Sequence, residues 1–155
     1  EGKLTAQLEL LEKTGYVLCS TGRELMKADG TDTGRYIPVK EKILYRDLLK
    51  HNSINCSSVV IRREAALEFP MEHDDSHEDY ITWLKILRKY GCAAGINKPY
   101  LKYRLSEGGK SRNKLKSAAM TYNVYRYAGY GRIRSCIFFC SYAVHGIWKY
   151  CHCSQ

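Results

Sequence analysis

Acidic residues are absent from the last third of this chain. All sixteen aspartates and glutamates lie at or before Glu107, whereas eight of the 25 lysines and arginines follow it. Up to residue 107, 17 basic groups face 16 acidic ones, so the formal net charge of +9 is almost wholly a C-terminal property. Proline is scarce, at three residues, which excludes collagen-like and proline-rich disordered chains. There is no uninterrupted apolar run of about 18 residues, the minimum for an ordinary membrane-spanning helix. The seven cysteines form no Cys-x-x-Cys pair, and their odd number argues against a disulfide framework and for a reducing compartment. Neither an internal repeat nor a P-loop occurs. The opening Glu1-Gly2-Lys3 is neither an initiator methionine nor a signal peptide, so a piece of a longer chain is expected.

What is there suits one globular domain: 155 residues, 45% hydrophobic and 26% charged. The pattern predicts a helix over 3–13 with Leu4, Leu8 and Leu11 on its inner face and Gly15 as its stop. Residues 16–20 read as a buried strand and 27–36 as a turn-rich loop. A helix is expected over 40–50, ended by His51-Asn52, and a strand over 57–62. A short helix from Arg63 to Phe69 closes at Pro70, and a polar loop leads into a helix over 78–90 capped by Gly91. Two short strands follow, at 92–96 and 99–103. After Ser106 the composition changes: a Gly-rich hinge, a helix from Asn113 with Leu115, Tyr122 and Tyr125 at helical spacing, a break at 129–131, then an apolar, aromatic stretch over 133–150. Alternating strands and helices make the fold class α/β. The division expected is 1–107 and 108–155.

The densest chemical cluster is Glu72-His73-Asp74-Asp75-Ser76-His77-Glu78-Asp79, with five carboxylates in eight residues. Crowded acids raise one another's pKa. Glu78 and Asp79 fall at a helix start, where the macrodipole favours an ionised carboxylate, and such a group at a cleft suits a general base. The same pair fits plain helix capping on a solvated surface. His73 and His77 are read as exposed rather than metal-binding, and Cys151-His152-Cys153 is a lone cluster short of the four ligands of a closed zinc site. Tyr103-Arg104, Gly108, Gly109, Lys110, Ser111, Asn113 and Lys114 form either a phosphate cradle at a helix start or a solvated hinge. Tyrosines 122, 125, 127 and 130 beside Arg126, Arg132 and Arg134 can stack on bases, lie at a lipid interface or pack in a core.

Four stretches in order resemble the C-terminal half of a family 2 glycosyltransferase, the inverting GT-A type enzymes of bacterial surface polysaccharide synthesis. Lys3-Leu4-xx-Gln7-Leu8 is similar to the helix after that family's metal-binding Asp motif. Asn52 to Arg63 is similar to its acceptor-side strand, and Glu78-Asp79-Tyr80-xx-Trp83-Leu84 to its ED-motif helix, with Gly91 at the expected distance. Tyr103-Arg104 with Ser111-x-Asn113-Lys114 resembles its closing strand and loop. The resemblance implies the C-terminal portion of a Rossmann-like GT-A domain followed by a helical, basic and aromatic tail.

It further implies that Asp79 is the catalytic base, with Glu78 its neighbour, and that Arg104, Ser111, Asn113 and Lys114 bind substrate. The implied partners are a nucleotide-sugar donor and a saccharide or lipid-linked acceptor. A divalent metal, Mg or Mn, is implied for the full enzyme, with ligands outside this chain; the histidine that helps hold it in some relatives is replaced here by Leu105 and Ser106. The family's nucleotide-binding half and its Asp-x-Asp site are missing, so the isolated segment is expected to be inactive or nearly so. The family's Gln-x-x-Arg-Trp motif is absent too, which favours one sugar per event. A cytoplasmic location is implied, with the basic tail resting on the anionic inner face of the plasma membrane through Phe138, Phe139 and Trp148. The rival classes are a basic nucleic-acid-binding module, which leaves the acidic cluster unexplained, and a non-catalytic remnant of the transferase.

Overall fold

A computed structural model of the chain describes residues 2–105 and 114–152, with side chains described within 2–105 and 115–145. Helix α1 spans Lys3–Thr14 and ends on Gly15, whose left-handed φ of 69° lets its N–H reach the Leu11 carbonyl. The inward face of α1 differs from the expected leucine stripe. Leu11 is buried, but Leu4 and Leu8 are 63% and 52% exposed. Gln7 takes the inner position instead. Its Nε2 donates to the carbonyls of Cys19 and Ser58, both at 3.0 Å, and Lys3 Nζ donates to its Oε1 at 2.6 Å. A buried amide with every group paired fixes the helix as firmly as a leucine would.

Strand β1, Leu18–Met26, is the axis of a mixed sheet in the order β2 (Asp32–Ile37), β1, β5 (Cys92–Arg104), β3 (Lys42–Leu44). The Asp29-Gly30 turn returns the chain as β2, Asp32–Ile37, antiparallel to β1. The segment expected as a turn-rich loop is thus mostly a hairpin. The helix expected over 40–50 is instead a strand and a helix, β3 at Lys42–Leu44 and α2 at Tyr45–Lys50. Ile43 pairs with Ala93 across the sheet, and that long-range ladder overrides local helix preference. The strand expected over 57–62 reduces to a 3-10 turn, Cys56–Ser58, and a two-residue β4, Val60–Ile61, against Leu18 and Cys19. Helix α3 follows at Arg63–Glu68.

Helix α4, Glu78–Tyr90, matches its expected limits and is capped by Gly91. Residues 80–84 are all buried, as befits a helix covered on more than one side. It shares one core with Leu18, Ile43, Leu48 and Ile54 from the sheet side and with Val124 and Ala128 from α5, Lys114–Tyr127. The two short strands expected after it are one, β5, Cys92–Arg104, parallel to β1. Register shifts beside Gly22 bulge Asn97 and Lys98 out of the ladder. Asn97 Oδ1 then accepts from the Tyr36 hydroxyl at 2.7 Å and the Val39 N–H at 3.3 Å, tying the 38–41 loop down. Helix α6, Arg132–His152, closes the chain. Leu115, expected inward, is 85% exposed.

Candidate active site

The acidic cluster is a loop pinned from above by α5. The Ser76 hydroxyl donates to the Met120 carbonyl at 2.9 Å, and the Tyr127 hydroxyl donates to Asp75 Oδ2 at 2.8 Å. His73, in the left-handed region at φ 69°, lies flat on Tyr127 with ring centroids 3.8 Å apart. That stack supports a conformation that costs a non-glycine residue about 1 kcal/mol.

The pinned loop delivers Glu78 and Asp79 to the first turn of α4. Asp79 is half-buried, and its Oδ1 accepts the Tyr80 N–H at 2.7 Å. Burial pushes its carboxyl above the ordinary aspartate range, and the adjacent Glu78 charge adds to the rise; the Tyr80 N–H and His77 oppose it. A base moved upward toward neutral pH is a stronger proton acceptor than a solvated aspartate.

The Asn52–Ser58 segment lies beside this pair. The Cys56 thiol is held above its ordinary range by burial and then by the negative charges of Asp79 and Glu78. Asn55 Oδ1 accepts the Ser57 N–H at 3.0 Å and the Asn52 side chain accepts the Ile54 N–H at 3.2 Å, so the segment is a set of polar turns with fixed backbone. The stretches around 55 and 78, read separately in the sequence, therefore face one another.

Behind them the site is rigid. Tyr80 and Trp83 are 1% and 2% exposed. The Tyr80 hydroxyl donates to the Leu48 carbonyl and stands 3.2 Å from that of Tyr125, which donates to the Leu49 carbonyl at 2.9 Å. Burial raises the Tyr125 phenol to about 12. Both tyrosines are thus spent on the end of α2.

Of the remaining expected residues, Arg104 is the one whose side chain the structure describes. Arg104 stands at the end of β5 and donates to the Ala28 carbonyl at 3.2 Å. Ser111, Asn113 and the glycine hinge lie outside the described residues; Lys114 is where α5 begins. Cys151-His152-Cys153 also falls outside the described side chains. Among the described residues, no three His, Cys, Asp or Glu side chains converge as a metal site requires. Three of the four tyrosines offered for base stacking are consumed internally: Tyr125 packs on Phe138, Tyr127 on His73, and Tyr130 bonds Tyr45.

One feature has no motif behind it. Arg23, Lys40, Lys50, His51 and His145 surround a cavity of about 400 Å³ beside the 51–53 segment. Their positions are scattered from β1 to α6, and only folding assembles them.

No protein-family model matches the chain. Among the curated proteins similar to it are three glycosyltransferases by name. TuaG of Bacillus subtilis (strain 168), whose name makes it a candidate teichuronic acid biosynthesis glycosyltransferase, is 37% identical over 80% of this chain and 49% of its own length. WfaP and WfgD of Escherichia coli are each named UDP-Glc:alpha-D-GlcNAc-diphosphoundecaprenol beta-1,3-glucosyltransferase. WfaP is 32% identical over 96% of this chain and 58% of its own length, and WfgD is 32% identical over 79% and 47%. The chain spans about half the length of the curated relatives it matches. These relatives are thus named as glycosyltransferases, and the name of TuaG refers to teichuronic acid biosynthesis.

Proposed function

We propose that this chain is the acceptor-side, C-terminal half of a family 2, GT-A type glycosyltransferase of bacterial surface polysaccharide synthesis, and that Asp79 is its catalytic base. The observation that carries the reading is Asp79 itself: a half-buried carboxylate of raised pKa at the start of α4, facing the polar turns of residues 52–58. The named activities of the relatives support the reaction class.

In this mechanism an acceptor sugar hydroxyl lies against Asp79 and gives up its proton to the carboxylate. The freed oxygen attacks the anomeric carbon of a nucleotide sugar. The bond from that carbon to the diphosphate breaks on the opposite face, the leaving group keeps the electron pair, and the configuration inverts. The neighbouring Glu78 charge adds to the proton affinity of Asp79, after the larger effect of burial. A divalent cation, when bound by residues outside those described, would neutralise the leaving diphosphate.

The acceptor we favour is a lipid-linked saccharide, with the protein resting on the cytoplasmic face of the membrane. The support lies on α6. Ile133, Ile137 and Val144 are 79%, 60% and 63% exposed, and with exposed Cys140 they fall at spacings of four, three and four. That stripe, beside exposed Arg132 and Arg134, suits an interfacial helix on anionic lipid. Phe138, expected there, instead packs on Tyr130 at 4.8 Å, and Trp148 lies beyond the described side chains. No described helix is long and apolar enough to cross a membrane.

The test supplies the protein, in its full encoded length, with nucleotide sugars and lipid-diphosphate-linked saccharides and reads the anomeric configuration of the product by NMR. Transfer with inversion is expected; retention, or no transfer to the lipid-linked saccharide, contradicts the proposal.

A further inference from the structure

The 400 Å³ cavity is cationic in a way that surface charge does not explain. Among its described lining residues Asp47 is the one carboxylate, and that charge is already engaged. Lys40 Nζ lies 3.2 Å from its Oδ1, and the Leu44 N–H donates to its Oδ2 at 3.3 Å. Arg23 and Lys50 add two further cations to the lining, beside the imidazoles of His51 and His145. Arg23 is half-buried, its guanidinium 5.8 Å from the centre of the Tyr103 ring. Burial lowers its pKa, the mark of a cation placed in a site that disfavours charge. An anion in the cavity would relieve that cost, and a guanidinium fork is well shaped for phosphate oxygens. The His145 Nδ1 bonds the Ser141 carbonyl at 2.8 Å, which orients the ring on α6.

The cavity is also joined to the carboxylates. Asn52 and Ser53 line it, and three residues further on Cys56 feels the charges of Asp79 and Glu78. Three residues of fully extended chain reach at most about 10 Å. The cavity and the two carboxylates thus flank one short segment.

We propose that this cavity binds the diphosphate of a diphosphate-linked sugar, holding that sugar toward Asp79. The assignment rests on the transferase reading above only in naming the sugar as the acceptor; the anion site stands on its own lining. The same chemistry is carried by a lipid-linked diphosphate and by a nucleoside diphosphate, and the continuity with residues 52–56 favours the first.

The test is calorimetric titration of the full chain with inorganic pyrophosphate, repeated on Lys50→Gln and Arg23→Gln. Lys50 is exposed, so its replacement leaves the core intact. Each variant is expected to bind pyrophosphate about tenfold more weakly, the loss of one charge-assisted contact. Equal affinity in wild type and both variants, or no binding, overturns the site. Two further arms identify the source: neutral vesicles doped with a polyprenyl-diphosphate saccharide, and free uridine diphosphate. A tenfold loss on the doped vesicles supports the acceptor assignment. A loss confined to uridine diphosphate overturns that assignment. Because pyrophosphate binding needs no turnover, its failure leaves the transferase reading to be judged by transfer alone. Conversely, absence of transfer with pyrophosphate still bound removes the acceptor and keeps the anion site.

Discussion

Ser76 and Met120 meet through one buried hydrogen bond: the hydroxyl donates to the carbonyl at 2.9 Å, with the side chains 0% and 4% exposed. It ties the loop before α4 to the middle of α5, and with it the position of Asp79 three residues on. Ser76→Ala removes the tie and leaves a small void. We expect a loss of about 1 kcal/mol in urea unfolding at constant m, and a fall in kcat larger than any change in KM for donor. Unchanged kcat would show that α5 does not position the base.

Gly95 lies under the loop that carries Lys40. A Cβ there would sit 2.0 Å from the Lys40 carbonyl oxygen, a backbone atom held in place by the Asn97 contacts. Gly95→Ala should therefore cost about 1–3 kcal/mol in urea unfolding. Pyrophosphate affinity should fall with it, because the displaced loop carries Lys40, whose pairing offsets the Asp47 carboxylate in the cavity wall.

Much of this fold was readable in advance, and the exceptions have physical causes. Helix α4 announces itself through Ile81, Leu84 and Leu87 on one face, acids at its start and Gly91 past its end. Strand β2 hides because Asp32–Ile37 is a largely exposed edge with no apolar alternation; only the Asp29-Gly30 turn signals the hairpin. Ile43-Leu44 reads as helix because its partner, β5, is some fifty residues away. Gln7 defeats the leucine pattern of α1 because two carbonyls at 3.0 Å reward an amide there. At the candidate site, the position of Glu78 and Asp79 at a helix start was legible from their spacing before the apolar run. Their closeness to Cys56 and the cluster of Arg23, Lys50 and His145 were not, since residues that meet only through tertiary folding leave no spacing to find.

The pH dependence follows from the direction of the Asp79 shift. Burial makes the folded protein hold that proton more tightly than an exposed aspartate does. The base works ionised, so kcat/KM should rise with pH, with unit slope, through a pKa above the ordinary aspartate range, and then level off. For stability, the contribution from the protonated group is full below the unfolded pKa and is lost as pH rises through the folded one. The melting temperature of Asp79→Asn should thus exceed that of wild type by a margin that grows through this same interval. A constant margin would place Asp79 in solvent.

The exposed stripe on α6 makes a separate prediction. Ile137→Asp or Val144→Asp should reduce co-sedimentation with anionic vesicles at least about tenfold, the loss of one buried aliphatic side chain. Neither change should move the unfolding midpoint, because both side chains face outward. Equal recovery with neutral and anionic lipid in the wild type would remove the membrane from the account.

The most direct measurement is sugar transfer by Asp79→Asn in the full encoded protein, read beside its thermal unfolding. The amide keeps the shape and a hydrogen bond to the Tyr80 N–H but takes no proton. Transfer should fall about 100-fold or more while the protein melts at the same or a higher temperature. Transfer within a few-fold of wild type by a folded Asp79→Asn protein would contradict the assignment of Asp79 as the base.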